Sequence, residues 1–341
     1  MKNIHSDNHY VPQSYLKRWS SDGLKIWSYR VLVSHQKIPL WKLHSIRGVA
    51  YHTHLYTRIS ARSETDEFEC WLEKEFETPA QEALDKAISN CHLKVNDWER
   101  LIRFAAAQSV RTPANLSTTM EKWRKEMPEL INSTLQKAAK DLEDANRTSK
   151  PPKQKNINNT TMFPLRISRE PLTDTDKSLL KVETLVGRSM WLFGVKHILS
   201  NTIKVLLRHK WSILHAPPGV EWATSDDPVI CLNYYGKESY DFGGGWGYKG
   251  SEIILPLSPQ HILYTKVGDK KPFRKEVTYE LSALLERMIV EHAHRWIFAK
   301  EPIQEIEALR PRKINLIAFK NEMEVWKNWH DEQSSAENEY E

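Results

Sequence analysis

Two adjacent carboxylates, Asp226 and Asp227, end an apolar, extended run and stand directly before Pro228. Proline disfavours the helical region for the residue before it, so the pair must lie in extended or turn backbone. A carboxylate exposed at a strand end suits a metal ligand or a general base. The plainer alternative is a turn in which Ser225 and Asp226 bond nearby backbone N–H groups. His9 precedes the first apolar helix, where an imidazole serves as a proton carrier, a ligand or a structural anchor. Arg111 closes an amphipathic segment. A cation is favourable at a helix C-terminus, and a guanidinium also clamps a phosphate or carboxylate through two parallel bonds. Gln108 lies one turn earlier on the same face. Glu69, Glu73 and Glu77 repeat at helical spacing, a pattern that usually faces water; Glu77 nears the break expected at Pro79.

Taken as one site, these residues predict His9, Asp226 and Glu77 as catalytic groups. Arg111, Gln108 and Ser225 would bind substrate, and Asp226 would ligate a divalent cation such as magnesium. The physical ground is that an unpaired buried polar group costs about 1–3 kcal/mol. Polar residues embedded in apolar segments should therefore satisfy one another or receive a ligand. His52/His54 and His292/His294 are spaced to share a metal on a strand, but not on a helix.

Several familiar chemistries are excluded by their missing signatures. The chain has no phosphate-binding loop ending in Gly-Lys-Ser/Thr, no HExxH and no GxSxG. Gly243–Gly247 is glycine-rich but lacks the lysine and the following helix, which reads as a mobile hairpin loop rather than a phosphate cradle. The acid-x-Lys pattern of some nucleases is incomplete, because Ile253 and Ile254 follow Glu252.

The elements that must position these groups follow from periodicity. A short helix is expected after Pro12, then a hairpin from residues 24–33 with 38–43, and a helical stretch over 66–90 interrupted at Pro79. Asp97 reads as the N-cap of a helix over 98–111. Further helices are expected near 114–126, 129–145, 173–186, 187–208 and 281–295. Strands are expected at 211–215, 220–224, 229–232, 252–257, 261–266 and 296–299. The fold class is α+β: a helical N-terminal half with a hairpin, packed on a small, mainly antiparallel sheet flanked by helices in the C-terminal half. The divisions are 1–146, a linker or long loop at 147–164, 165–320, and a partly disordered tail at 321–341.

Composition narrows the function classes. With 341 residues, 40% hydrophobic and 27% charged, the chain is long enough to bury a core without a staple. The formal charge of +5 is scattered, so it permits a nucleic-acid partner without requiring one. Three cysteines with no CxxC spacing read as reduced thiols, which argues against a thiolate zinc site and for a cytoplasmic location. A polar beginning implies no signal peptide, and the absence of long apolar runs implies no membrane span.

HYVPQSYLKRW (His9 to Trp19), HLYT (His54 to Thr57), QSVRTP (Gln108 to Pro113), TSDDPV (Thr224 to Val229) and LPLSP (Leu255 to Pro259) occur in this order. In that order they resemble the domain of unknown function 4238 family, over roughly residues 7–300. In that family the position of Asp227 is often asparagine, which makes Asp226 the more meaningful carboxylate. The resemblance implies a role in bacterial antiviral defence or as a toxin. With the residues above, this leads to the expectation of a metal-dependent hydrolase or nuclease-type effector. The competing expectation is a non-catalytic binding module that recognises a protein or small ligand.

Overall fold

The hairpin near the start forms between Lys25–Arg30 and Trp41–Ser45, and its open side is completed by strands from the far end of the chain. Trp296–Ala299 pairs with Lys25–Arg30, and Thr224–Ser225 pairs with Trp296–Ala299, all antiparallel. A second, five-stranded antiparallel sheet runs in the order Ser212–His215, His261–Lys266, Ser251–Ser258, Ile230–Gly236, Ser239–Asp241. With the long helices between them these sheets make an α+β protein. The computed structural model describes residues 5–60, 63–148, 165–171, 178–236, 238–269 and 276–340.

Strand periodicity explains how the five-stranded sheet is buried on both faces. Ile253, Leu255 and Leu257 point into the main core with Trp19, Phe104 and Trp191. Ile254 points the other way, into a second core with Leu214, Ile230 and the helix Tyr279–His292, which supplies Leu285, Met288 and Ile289. The helix Val95–Val110 is central to the main core: Ala105, Ala106 and Ala107 are all buried, and their small side chains let neighbours approach closely. It begins before Asp97, whose carboxylate accepts the Lys94 N–H at 2.9 Å from inside the first turn.

The helical stretch breaks at Pro79 as expected, and four other local expectations give way to the structure. The interruption at Pro79 is absorbed by a π-helical turn over Glu73–Glu77 and a 3₁₀ turn at Thr78–Ala80, after which Gln81–Ile88 resumes as α-helix. The two helices expected at 114–126 and 129–145 are one helix, Pro113–Thr148, which carries Pro128 internally. Proline's fixed φ suits a helix, so the cost is confined to one lost hydrogen bond and local crowding. The helix expected at 173–186 is replaced by a hairpin of Leu165–Pro171 with Ser178–Thr184; paired backbone outweighs a weak helical pattern there. Of the linker at 147–164, Arg147 and Thr148 belong to the long helix, and the rest lies outside the described residues.

The fourth concerns the tail, expected to be partly disordered from 321. Leu316–Tyr340 is a helix. Its order has a specific cause. Gln333 accepts the Arg188 N–H at 2.7 Å and Glu337 accepts the Ser189 N–H at 3.1 Å. These are orphan donors of the first turn of Arg188–Ser200, and the tail helix supplies the acceptors they lack. The fully buried Arg188 guanidinium then bonds both Glu337 oxygens, at 3.1 and 2.7 Å.

Candidate functional site

Tyr15 ties three distant segments together. Its buried hydroxyl donates to the Pro256 carbonyl at 2.7 Å and meets the Thr224 hydroxyl at 2.8 Å. Trp19 donates its indole N–H to the Trp222 carbonyl at 2.8 Å. Tyr56 donates to the Arg111 carbonyl at 2.8 Å, and Thr112 donates to Asp227 at 2.9 Å. The five short segments singled out in the sequence are thus joined in one buried hydrogen-bonded framework.

Within it, Arg111 meets the Glu77 carboxylate and the backbone of His9. The Arg111 guanidinium is 1% exposed and donates to the Glu77 carboxylate, to the Tyr56 hydroxyl at 3.2 Å, and to the backbone carbonyl of His9. The imidazole of His9 turns away to the Arg47 carbonyl at 3.3 Å. Gln108 is fully buried, and neither of its side-chain polar atoms has a partner among the described residues. Ser225 accepts the Asp227 N–H at 3.2 Å, the local turn bond that was the plainer alternative for that residue.

Asp226 faces a different space. It lines a cleft of about 860 Å³ together with Tyr10, His52, His294, Arg295 and Trp326; His9, Glu77, Gln108 and Arg111 are not among the lining residues. One carboxylate oxygen accepts the His294 N–H at 2.9 Å and the other the Arg295 N–H at 2.9 Å. These bonds fix the carboxylate in place and leave each oxygen a further lone pair. Burial, followed by the neighbouring charge of Asp227, pushes its pKa up to about 7. Burial holds His52 down to about 3, with His294 adding to the effect, and holds His294 down to about 4, with Arg295 adding. Burial, then Asp226, raises the Tyr10 hydroxyl well above its ordinary value. The cleft therefore presents two neutral imidazoles and one carboxyl poised near neutral pH.

The histidine spacing was visible in the sequence, but the partnership was not. Each HxH pair contributes one member to the cleft, His52 and His294. His54 turns outward at positive φ to stack on His330, and His292 meets the Asp227 carbonyl at 3.0 Å. Arg295, Glu322 and Trp326 were missed entirely. Trp326 and Trp329 on the tail helix were the signal, since neighbouring aromatics there suggest a packed face rather than a structureless tail.

A magnesium ion takes one or two carboxylates and fills its other positions with water or phosphate oxygens, and around Asp226 the neighbouring carboxylates are already engaged. Asp227 is held by Thr112, and Glu322 is engaged by Arg295. Among the described residues, the group with ligand atoms within 4.8 Å of one another is His54, Glu64 and His330. There the Arg188 guanidinium, which can only donate, contacts His330 Nδ1 at 3.2 Å. His330 Nε2 then carries the proton and donates to Glu64 at 2.7 Å, so this cluster is satisfied without a cation.

Gly243–Gly247 offers no phosphate cradle. Gly243 N–H bonds Asp241 at 2.7 Å and Gly245 N–H bonds Ser251 at 3.2 Å. A Cβ at Gly244 would come within 2.5 Å of the Leu232 backbone nitrogen, so the loop is pressed onto the sheet. No helix among the described residues is long and apolar enough to cross a membrane.

A model of a protein family described as protein of unknown function (DUF4238) matches residues 7–302. Neither the curated proteins nor the solved structures contain a match.

Proposed function

The chain belongs to the DUF4238 family, and from that premise we propose that it is a hydrolase of nuclease type whose reaction centre is the cleft at Asp226. One observation carries this reading: a buried, firmly held carboxyl with a pKa near 7 lines an open cleft beside two neutral histidines. A general base works best when its pKa lies near the operating pH. Asp226 would take a proton from a water that attacks phosphorus. The new P–O bond forms as the bond to the leaving oxygen breaks, and the Asp226 carboxyl returns the proton to that oxygen. The cationic residues of the cleft would hold the phosphate. No step in this scheme passes through a metal. A role in antiviral defence or as a toxin, and a cytoplasmic location, belong to the same proposal and rest on the family resemblance.

The second reading is a non-catalytic binding module. It is favoured by Arg111, each of whose three nitrogens donates to Glu77, Tyr56 or His9 rather than to an open site.

The test is hydrolysis of single-stranded RNA, single-stranded DNA and a bis-aryl phosphate by the full chain, Asp226→Asn and His294→Gln, with folding matched by circular dichroism. The proposal expects activity that rises with pH through about 7, because the ionised Asp226 is the working form, and that falls at least about 100-fold in Asp226→Asn. Absence of turnover in all three proteins favours the binding module.

A further inference from the structure

Glu322 is the one carboxylate that the tail helix brings to the cleft wall, and it lies against two guanidinium groups. Its oxygens contact Arg295 Nε and, at 4.0 Å, Arg30 Nη2. Arg30 is gripped between two rings, its guanidinium carbon 4.9 Å from the Trp296 centroid and 4.5 Å from that of Phe319. A stacked guanidinium is held in one orientation, which suits recognition of an oxyanion.

The donors here outnumber the acceptors. Arg30 Nε and Arg310 Nε are buried and have no hydrogen-bond partner among the described residues. Both residues line the cleft, as do Arg295, Lys313 and Lys327. Against these five cations stand Asp226, which burial biases toward its neutral form, and Glu322. A buried guanidinium N–H without a partner is expensive, and an anion with several oxygens would satisfy more than one at once.

We propose that Arg30, Arg295 and Arg310 form a phosphate-binding subsite of the cleft, and that the Glu322 carboxylate of the tail helix occupies part of it as a built-in competitor. Glu322 offers two oxygens where free phosphate offers four, and it contacts Arg295 and Arg30 but leaves Arg30 Nε and Arg310 Nε without a partner among the described residues. Glu322 lies beyond residue 302, where the family match ends, so the competitor comes from outside the matched span. The proposal deepens the reading of the cleft as a phosphoryl-transfer site and names where the phosphate would rest. Binding alone tests it, apart from any turnover.

The experiment is calorimetric titration of the full chain with inorganic phosphate and, in parallel, with a single-stranded deoxydinucleotide. Three proteins are compared: wild type, Glu322→Gln, and the double variant Glu322→Gln with Arg310→Gln. Glu322→Gln is expected to bind the probe at least about tenfold more tightly than wild type, because the competing charge is gone. The double variant is expected to lose that gain. A gain confined to inorganic phosphate assigns the subsite to the free anion; a gain with both probes assigns it to the phosphate of a nucleotide chain. Equal affinity of wild type and Glu322→Gln for both probes overturns the competitor. A gain that survives the Arg310 substitution overturns the subsite as drawn. Failure of the hydrolysis assay alongside a positive titration would sink only the catalytic reading.

Discussion

Trp326 lies flat on His52, with ring centroids 3.6 Å apart and planes 14° from parallel. This contact joins the tail helix to the strand Tyr51–Thr53 and shields an imidazole that an open cleft would leave to water. An ordinary imidazole titrates near 6.5, whereas burial holds His52 down to about 3. Between those values the unfolded chain binds a proton that the folded chain refuses. The stability from His52 is thus complete above about pH 6.5 and is lost as pH falls toward 3. His52→Phe keeps the stack and removes the titration, so its urea midpoint should fall less steeply than that of wild type between pH 7 and 4. Identical slopes would exclude His52 as a source of acid lability.

Arg111 holds three partners: the Glu77 carboxylate, the Tyr56 hydroxyl and the His9 carbonyl. Arg111→Ala would strand the Glu77 carboxylate and the His9 carbonyl, at a cost of about 3–5 kcal/mol. Arg111→Lys should recover little, because a single ammonium cannot reproduce a planar fork with three bonds. Chemical denaturation of both variants checks this; a lysine variant as stable as wild type would contradict it.

The Arg188–Glu337 pair should govern order in the tail helix. Glu337→Ala leaves Arg188 buried without its carboxylate and removes the acceptor of the Ser189 N–H. Hydrogen exchange in Leu316–Tyr340 should accelerate by at least about 100-fold, while the sheet Ser251–Ser258 with His261–Lys266 stays protected. Uniform acceleration across the chain would show that the helix opens only with the whole fold.

Removing the Tyr15 hydroxyl should be felt at two distant segments. Tyr15→Phe leaves the Pro256 carbonyl and the Thr224 hydroxyl short of a partner and should cost about 1–3 kcal/mol. Thermal unfolding gives the size of the loss. A change below about 0.5 kcal/mol would mean that the framework tolerates the gap.

The strands were legible where alternation was backed by burial on both faces. His261–Lys266 and Trp296–Ala299 have the bounds that the pattern predicts, and Ser251–Ser258 differs by a residue at each end. The helix Leu316–Tyr340 was not legible, because its acceptor groups are called for by helix N–H donors more than a hundred residues earlier. The site was half legible for a related reason. Spacing along the chain marks Asp226 and Arg111 as unusual, but it cannot say that Arg111 faces Glu77 while Asp226 faces His294. His52 and His294 each looked as if they belonged with their nearest sequence neighbour, and the turn of His54 at positive φ separates that pair. Only long-range packing reveals such partnerships.

The pairing of Lys25–Arg30 with Trp296–Ala299 also sets the order of assembly during synthesis. Residue 30 has its register partner at residue 296, so the hairpin leaves the ribosome long before the strand that completes it. Until then its free edge is an unpaired row of backbone donors and acceptors, the kind of surface that invites wrong pairing. Closing so long a loop is slow compared with forming local helices. The nascent chain must therefore hold an incomplete sheet until Trp296–Ala299 has emerged, an interval in which the exposed edge is open to misassembly.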